Sequence, residues 1–180
     1  MTRAALAFAL LGAVLTVFAN TESPYSGQEQ RPIKALSQEE VEAYLEGKGM
    51  GYAKAAELNH YPGPLHVLEM ADQLGLSHDQ IAKTRDIFDT MKKQAMVLGR
   101  QLVDQEHALD QAFASGSLEP ESLVALVGQI GKLEAEIRFV HLNAHLQQKS
   151  VLTRQQVMQY DKLRGYGMSG HAGHDHDHQH

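Results

Sequence analysis

Neither cysteine nor tryptophan occurs anywhere in the chain. The absence of cysteine excludes disulfides, thiolate metal ligands and thiol nucleophiles together. Only 6 % of residues are aromatic, so the core must be built from Leu, Ile, Val, Met and Ala. Basic side chains are also in deficit: 16 Lys and Arg stand against 22 Asp and Glu, for a formal net charge of −6. That balance argues against nucleic acid and against an anionic membrane surface as the main partner. No HExxH, no G-x-S-x-G and no glycine-rich phosphate loop is present, and no Asp/Glu pair stands out from surface charge. The expectation is a protein that is not an enzyme.

The one long hydrophobic run lies at the start. Arg3 precedes an apolar or small-residue stretch from Ala4 to Phe18, broken only by Thr16, and Val17 and Ala19 sit where a signal peptidase needs small residues. About 15 residues suit a signal sequence and fall short of the roughly 20 that span a bilayer. Residues 1–19 are therefore expected to be a cleavable leader for export to the periplasm; the alternative is an uncleaved anchor. Its removal takes away Arg3 and no acid, leaving a net charge of −7.

The other end is rich in histidine. His171, His174, His176, His178 and His180 alternate with Asp175, Asp177 and small residues. Imidazole suits borderline transition metals, and the carboxylates add oxygen donors. This tail reads as a strip for a divalent transition metal, with Zn, Cu and Ni all open; a solubilising tail is the plainer alternative.

Between the ends the pattern is helical. Residues 20–36, with Pro24, Gly27 and Pro32, read as a flexible lead-in. Ser37 and Glu40 form a capping box before a short helix that stops at Gly47, Gly49 and Gly51. Tyr52 to Asn59 suits another turn or two, and Pro64 suits the first residue of a short helix ending near Gly75. Ser77 and Gln80 form a second cap, followed by a run over 78–113 in which Gly99 is the lone Gly or Pro. Ile81, Phe88, Met91, Ala95, Leu98, Leu102, Leu109 and Ala112 recur at three- and four-residue steps, with Thr84 and Gln105 in the gaps. Beyond Ser115, Gly116 and Ser117, and with Pro120 in its first turn, a further helix carries Leu123, Leu126, Ile130, Leu133, Ile137, Val140 and Ala144. The fold class expected is all-α: a long antiparallel helical hairpin with short flanking helices over residues 37–164, then a Gly/His-rich tail over 165–180. Phe139, Leu142 and Leu146 form a second apolar stripe, to be covered by the short helices or by another subunit.

Leu152, Thr153 and Gln156 match a Leu-Thr-x-x-Gln pattern, and Leu76, Ser77 and Gln80 repeat it with Ser for Thr. In this the chain resembles the Spy/CpxP family of periplasmic proteins over roughly residues 65–165. The resemblance implies a cradle-like α-helical homodimer. Some members are ATP-independent chaperones for unfolded proteins, CpxP-like members restrain a membrane stress sensor, and a metal-linked branch binds or senses heavy metals. A Spy-like cradle is typically basic, so the acidity here and the histidine tail shift the expectation to the metal-linked branch: envelope-stress or metal-resistance work with chaperoning, or else metal sensing for a membrane partner.

His141 and His145 stand one turn apart, close enough to chelate one ion. Metal-sensor relatives carry a similar pair, sometimes with Met in place of one His. Further ligands would come from His60, His66, Glu69 or Met70; the plain alternative is two polar residues at the edge of an apolar stripe. His78 and His107 read as solvated. Met50, Met70, Met91, Met96, Met158 and Met168 could suggest a copper-thioether site, but their dispersion and helical spacing read instead as adaptable core filling or a plastic client surface.

Overall fold

The structure, a computed structural model, describes residues 22–166. The leader and the tail metal ligands His171, His174, Asp175, His176, Asp177, His178 and His180 lie outside the described residues. Two compact units divide at Gln30. Within the first, residues 22–30 form successive turns, with the Ser26 N–H donating to Ser23 O and the Gln28 N–H to Tyr25 O.

The second unit is all-helical among its described residues: α1 Gln38–Leu45, α2 Lys54–Glu57, α3 Pro64–Glu69, α4 His78–Ala114, α5 Pro120–Val151 and α6 Arg154–Leu163. Three of these begin at reciprocal capping boxes. Ser37, Ser77 and Thr153 each accept the N–H three residues on, and Glu40, Gln80 and Gln156 return the bond. Proline at the first position starts α3 and α5, where its missing N–H costs nothing. At 37 and 32 residues, α4 and α5 extend roughly 56 and 48 Å.

Residues 115–119 join α4 to α5, and the two helices pack along each other. Leu102 meets Ile130, Leu133 and Ile137 in one cluster, with Tyr44, Tyr52, Leu98 and Leu109 against it. Gly99 has a steric purpose. A Cβ there would stand 2.2 Å from Tyr44 O, so the end of α1 lies directly on α4 where no side chain intervenes. A second cluster joins Val67, Leu74, Leu152 and Tyr160, with Met70, Leu76, Val157 and Tyr166 around it.

The two capping glutamines meet across these clusters. Gln80 Nε2 donates to Gln156 Oε1 at 2.8 Å, and Gln156 Nε2 donates back to Gln80 Oε1 at 3.1 Å. Their remaining amide hydrogens go to Val151 O and Leu74 O. Each glutamine thus caps its own helix and clasps the other's. Beneath the clasp, buried Thr84 donates to Gln80 O and accepts from buried Gln148, whose Oε1 has no partner. Thr84 breaks the apolar pattern because it belongs to this network.

The second stripe on α5 is largely uncovered. Phe139 is 65 % and Leu146 56 % exposed, and Val124 and Val127 extend the exposed apolar surface toward the start of the helix. Of the short helices, α2 and α3 instead pack against α5 on its histidine-bearing side, while α1 lies on α4. No helix among the described residues is long and apolar enough to cross a membrane.

Candidate metal-binding cleft

His141 and His145 project from α5 toward α2 and the segments that flank it, and both are buried, at 3 % and 8 % exposure. The edge position that their spacing allowed is not what they occupy. His145 Nδ1 lies 2.7 Å from Tyr61 O; a carbonyl only accepts, so Nδ1 carries the proton and Nε2 the lone pair. The Gly63 backbone presses on that edge of the ring, where an added Cβ would come 3.2 Å from Nε2. Only glycine leaves this side of the imidazole open.

His141 stacks on Tyr52, with ring centroids 6.2 Å apart and planes 6° from parallel. Tyr52 is held in turn by a 3.1 Å hydrogen bond to the Tyr44 hydroxyl and by the Arg138 guanidinium over its ring. His141 Nε2 is buried and has no hydrogen-bond partner. Burial, helped by the neighbouring His145, holds the His141 pKa below its ordinary value and keeps the ring neutral. A neutral imidazole with an unshared ring nitrogen is the form that binds a metal.

Glu57, at the end of α2, stands on the Nδ1 side of His145, with Oε2 3.7 Å away and otherwise unpartnered. Its other oxygen accepts from the Tyr160 hydroxyl at 2.5 Å and lies 3.3 Å from Arg164 Nε. Burial first, and the carboxylate second, push the Tyr160 phenol up, so it stays protonated as a donor. The Tyr61 carbonyl is therefore what orients the imidazole from behind, with the carboxylate beside it.

Both histidines line a cleft of about 400 Å³, together with His66 of α3 and Phe88, Met91 and Met96 of α4. Known protein families, curated proteins and solved structures contain no match to this chain. The reading of the cleft therefore rests on its residues.

Of the candidate further ligands, His66 reaches the cleft. Its Nδ1 is 2.8 Å from the Glu69 carboxylate, which leaves Nε2 as an acceptor. His60 instead lies 2.8 Å from Asp161 Oδ2, and Met70 packs in the Tyr160 cluster. His78 and His107 are exposed on α4. No group of three or more His, Asp or Glu placed to hold one ion occurs among the described residues. Sequence reasoning did not single out Glu57, and it read Met91 and Met96 as core filling or client surface rather than as cleft residues. The two methionines carry no motif, and only the packing of α4 on α5 brings them beside the imidazoles.

Proposed function

We propose that this is an exported, non-enzymatic metal-binding protein of the periplasm, serving envelope stress or metal resistance, and acting as an ATP-independent chaperone for unfolded proteins. The observation that carries it is the buried, neutral, unpartnered Nε2 of His141 one turn from a second oriented imidazole. A buried polar atom without a partner costs about 1–3 kcal/mol, a cost that a metal would remove. In this reading the tail collects divalent Zn, Cu or Ni, and the cleft holds an ion in an ordered site. The paired α4 and α5 form a hairpin cradle that dimerises, and the exposed Val124, Val127, Phe139 and Leu146 surface serves clients or the second subunit. The capping glutamines and the resemblance to Spy/CpxP proteins support this part.

Two measurements test it. Metal titration of the full chain against His141→Asn/His145→Asn is expected to show one binding equivalent lost; equal stoichiometry would refute the ordered site. The mature protein is expected to suppress aggregation of a denatured client near one-to-one, and failure over several clients would remove the chaperone role. A sensor reading is favoured by one observation: Glu57, 3.7 Å from His145 Nδ1, is held through its other oxygen by Tyr160 and Arg164, so the cleft borders the C-terminal helix. It requires a membrane partner and a metal-dependent shift of α6.

A further inference from the structure

The cleft's donors also specify which class of ion it takes. We infer that His141 and His145, with the thioethers of Met91 and Met96, form a site for a soft monovalent cation, Cu(I), distinct in chemistry from the divalent tail; this rests on the metal-binding reading above.

Three observations carry the inference. First, His141 Nε2 is buried with no hydrogen bond to give up, and the proton of His145 lies on Nδ1, which leaves the His145 lone pair at Nε2. Second, no third imidazole or carboxylate among the described residues completes the set. The carboxylates nearby do not face the Nε2 positions as free ligands: Glu46 pairs with Lys48, Glu69 with His66, and Glu57 stands on the Nδ1 side of His145, with one oxygen held by Tyr160 and Arg164 and the other unpartnered. Third, Met91 and Met96 line the same cleft as the two rings.

What remains is a neutral nitrogen and sulfur donor set. Zn(II) and Ni(II) in a site without anionic ligands would keep their full double charge away from water, which is costly. Lys48 and Lys92 at the cleft walls add to that cost. A monovalent ion carries a smaller desolvation penalty, and thioethers favour Cu(I) over harder divalent ions. Because the chain has no cysteine, methionine is its only sulfur ligand.

The test uses the full chain with ¹³C-methyl methionine and ¹⁵N-histidine under anaerobic, ascorbate-containing conditions. Cu(I) is added to saturation so that the tail's uptake cannot starve the cleft. The expected result is movement of the Met91 and Met96 methyl signals together with the His141 and His145 ring nitrogens. In Met91→Leu/Met96→Leu, a swap that conserves volume, Cu(I) affinity at the rings should fall at least as far as the roughly 10–100-fold lost with an outer-shell partner. Zn(II) affinity at the rings should be unchanged. If the rings respond while both methyl signals stay fixed, the thioether inference fails and the histidine site stands. Silence from rings and methyls alike overturns both. Zn(II) bound at the rings as tightly as Cu(I) would overturn the soft-ion assignment.

Discussion

The clasp of Gln80 and Gln156 and the cleft of His141 and His145 are two polar regions enclosed by the same helices, and they differ in how fully their polar groups are paired. In the clasp, all four side-chain amide hydrogens have acceptors, and both amide oxygens accept in return. In the cleft, His141 Nε2 and Glu57 Oε2 are buried without a hydrogen bond. The two clasp glutamines are fully paired, with one open acceptor beneath them at Gln148 Oε1, whereas in the cleft the unpaired atoms lie at the candidate site itself and destabilise the metal-free protein. Stability was built into one region and withheld from the other.

Breaking the clasp gives the largest expected effect. Gln156→Ala removes a cap and orphans Gln80 and Leu74 O, so unfolding by urea should show a loss of about 2–3 kcal/mol. Gln80→Ala in the same chain should add less than its separate cost, because both changes remove one shared pair. Full additivity would mean that the two caps act independently.

The opposite sign is expected in the cleft. His141→Phe keeps a ring on Tyr52 and removes the unpartnered nitrogen, so the metal-free protein should gain up to about 1 kcal/mol. The same variant should lose the stabilisation that metal gives the parent chain. A destabilised metal-free variant would show that the nitrogen is paired in solution.

Acidity separates the regions further. The His141 pKa is lowered in the folded state, so the unfolded chain binds more protons as the ring's ordinary value of about 6.5 is approached from above. Its contribution to stability is full above that value, begins to fall below it, and is lost as the pH falls through the lowered value of the folded state. Midpoints measured across pH 5–8 should show this slope in the parent and a smaller one in His141→Phe, while the clasp, having no titratable group, contributes none.

The smallest effect concerns a third cap. Hydrogen bonds from the Ser37 backbone and then its hydroxyl lower the Glu40 pKa. Its contribution is present above the usual carboxylate range and lost as the pH falls through the lowered value. This carboxylate is exposed and screened by solvent, so Glu40→Gln should cost no more than about 0.5 kcal/mol near neutrality.

The contrast also marks what sequence can express. Ser37, Ser77 and Thr153 announce helix starts because a capping box is a local motif, and α1, α4 and α6 begin at those points. The three-to-four spacing likewise places Leu102, Leu133 and Ile137 in the interior. That Gln80 and Gln156 cap each other's neighbourhood is invisible, since the pair is 76 residues apart. Glu57 and Met96 belong to no pattern, Met91 was legible only as part of the apolar stripe, and all three come beside the imidazoles only when α2 and α4 pack on α5. The His141/His145 pair was legible as a spacing, but its burial was not, because burial comes from Gly63, Tyr52 and the short helices. Phe139 and Leu146 were legible as an apolar stripe, and their exposure followed from where those short helices settle.

The clasp has a consequence in time as well as in energy. Residues 115–119 bring α4 and α5 together locally, so pairing can start at that turn and spread along the helices through contacts of increasing sequence separation. Gln80 and Gln156 sit at the far end, and α6 must already be in place before they meet. The clasp is therefore expected to close after the rate-limiting step, so that loosening it should hasten unfolding while leaving the refolding rate nearly unchanged. What the paired glutamines determine is how long the folded chain lasts once formed.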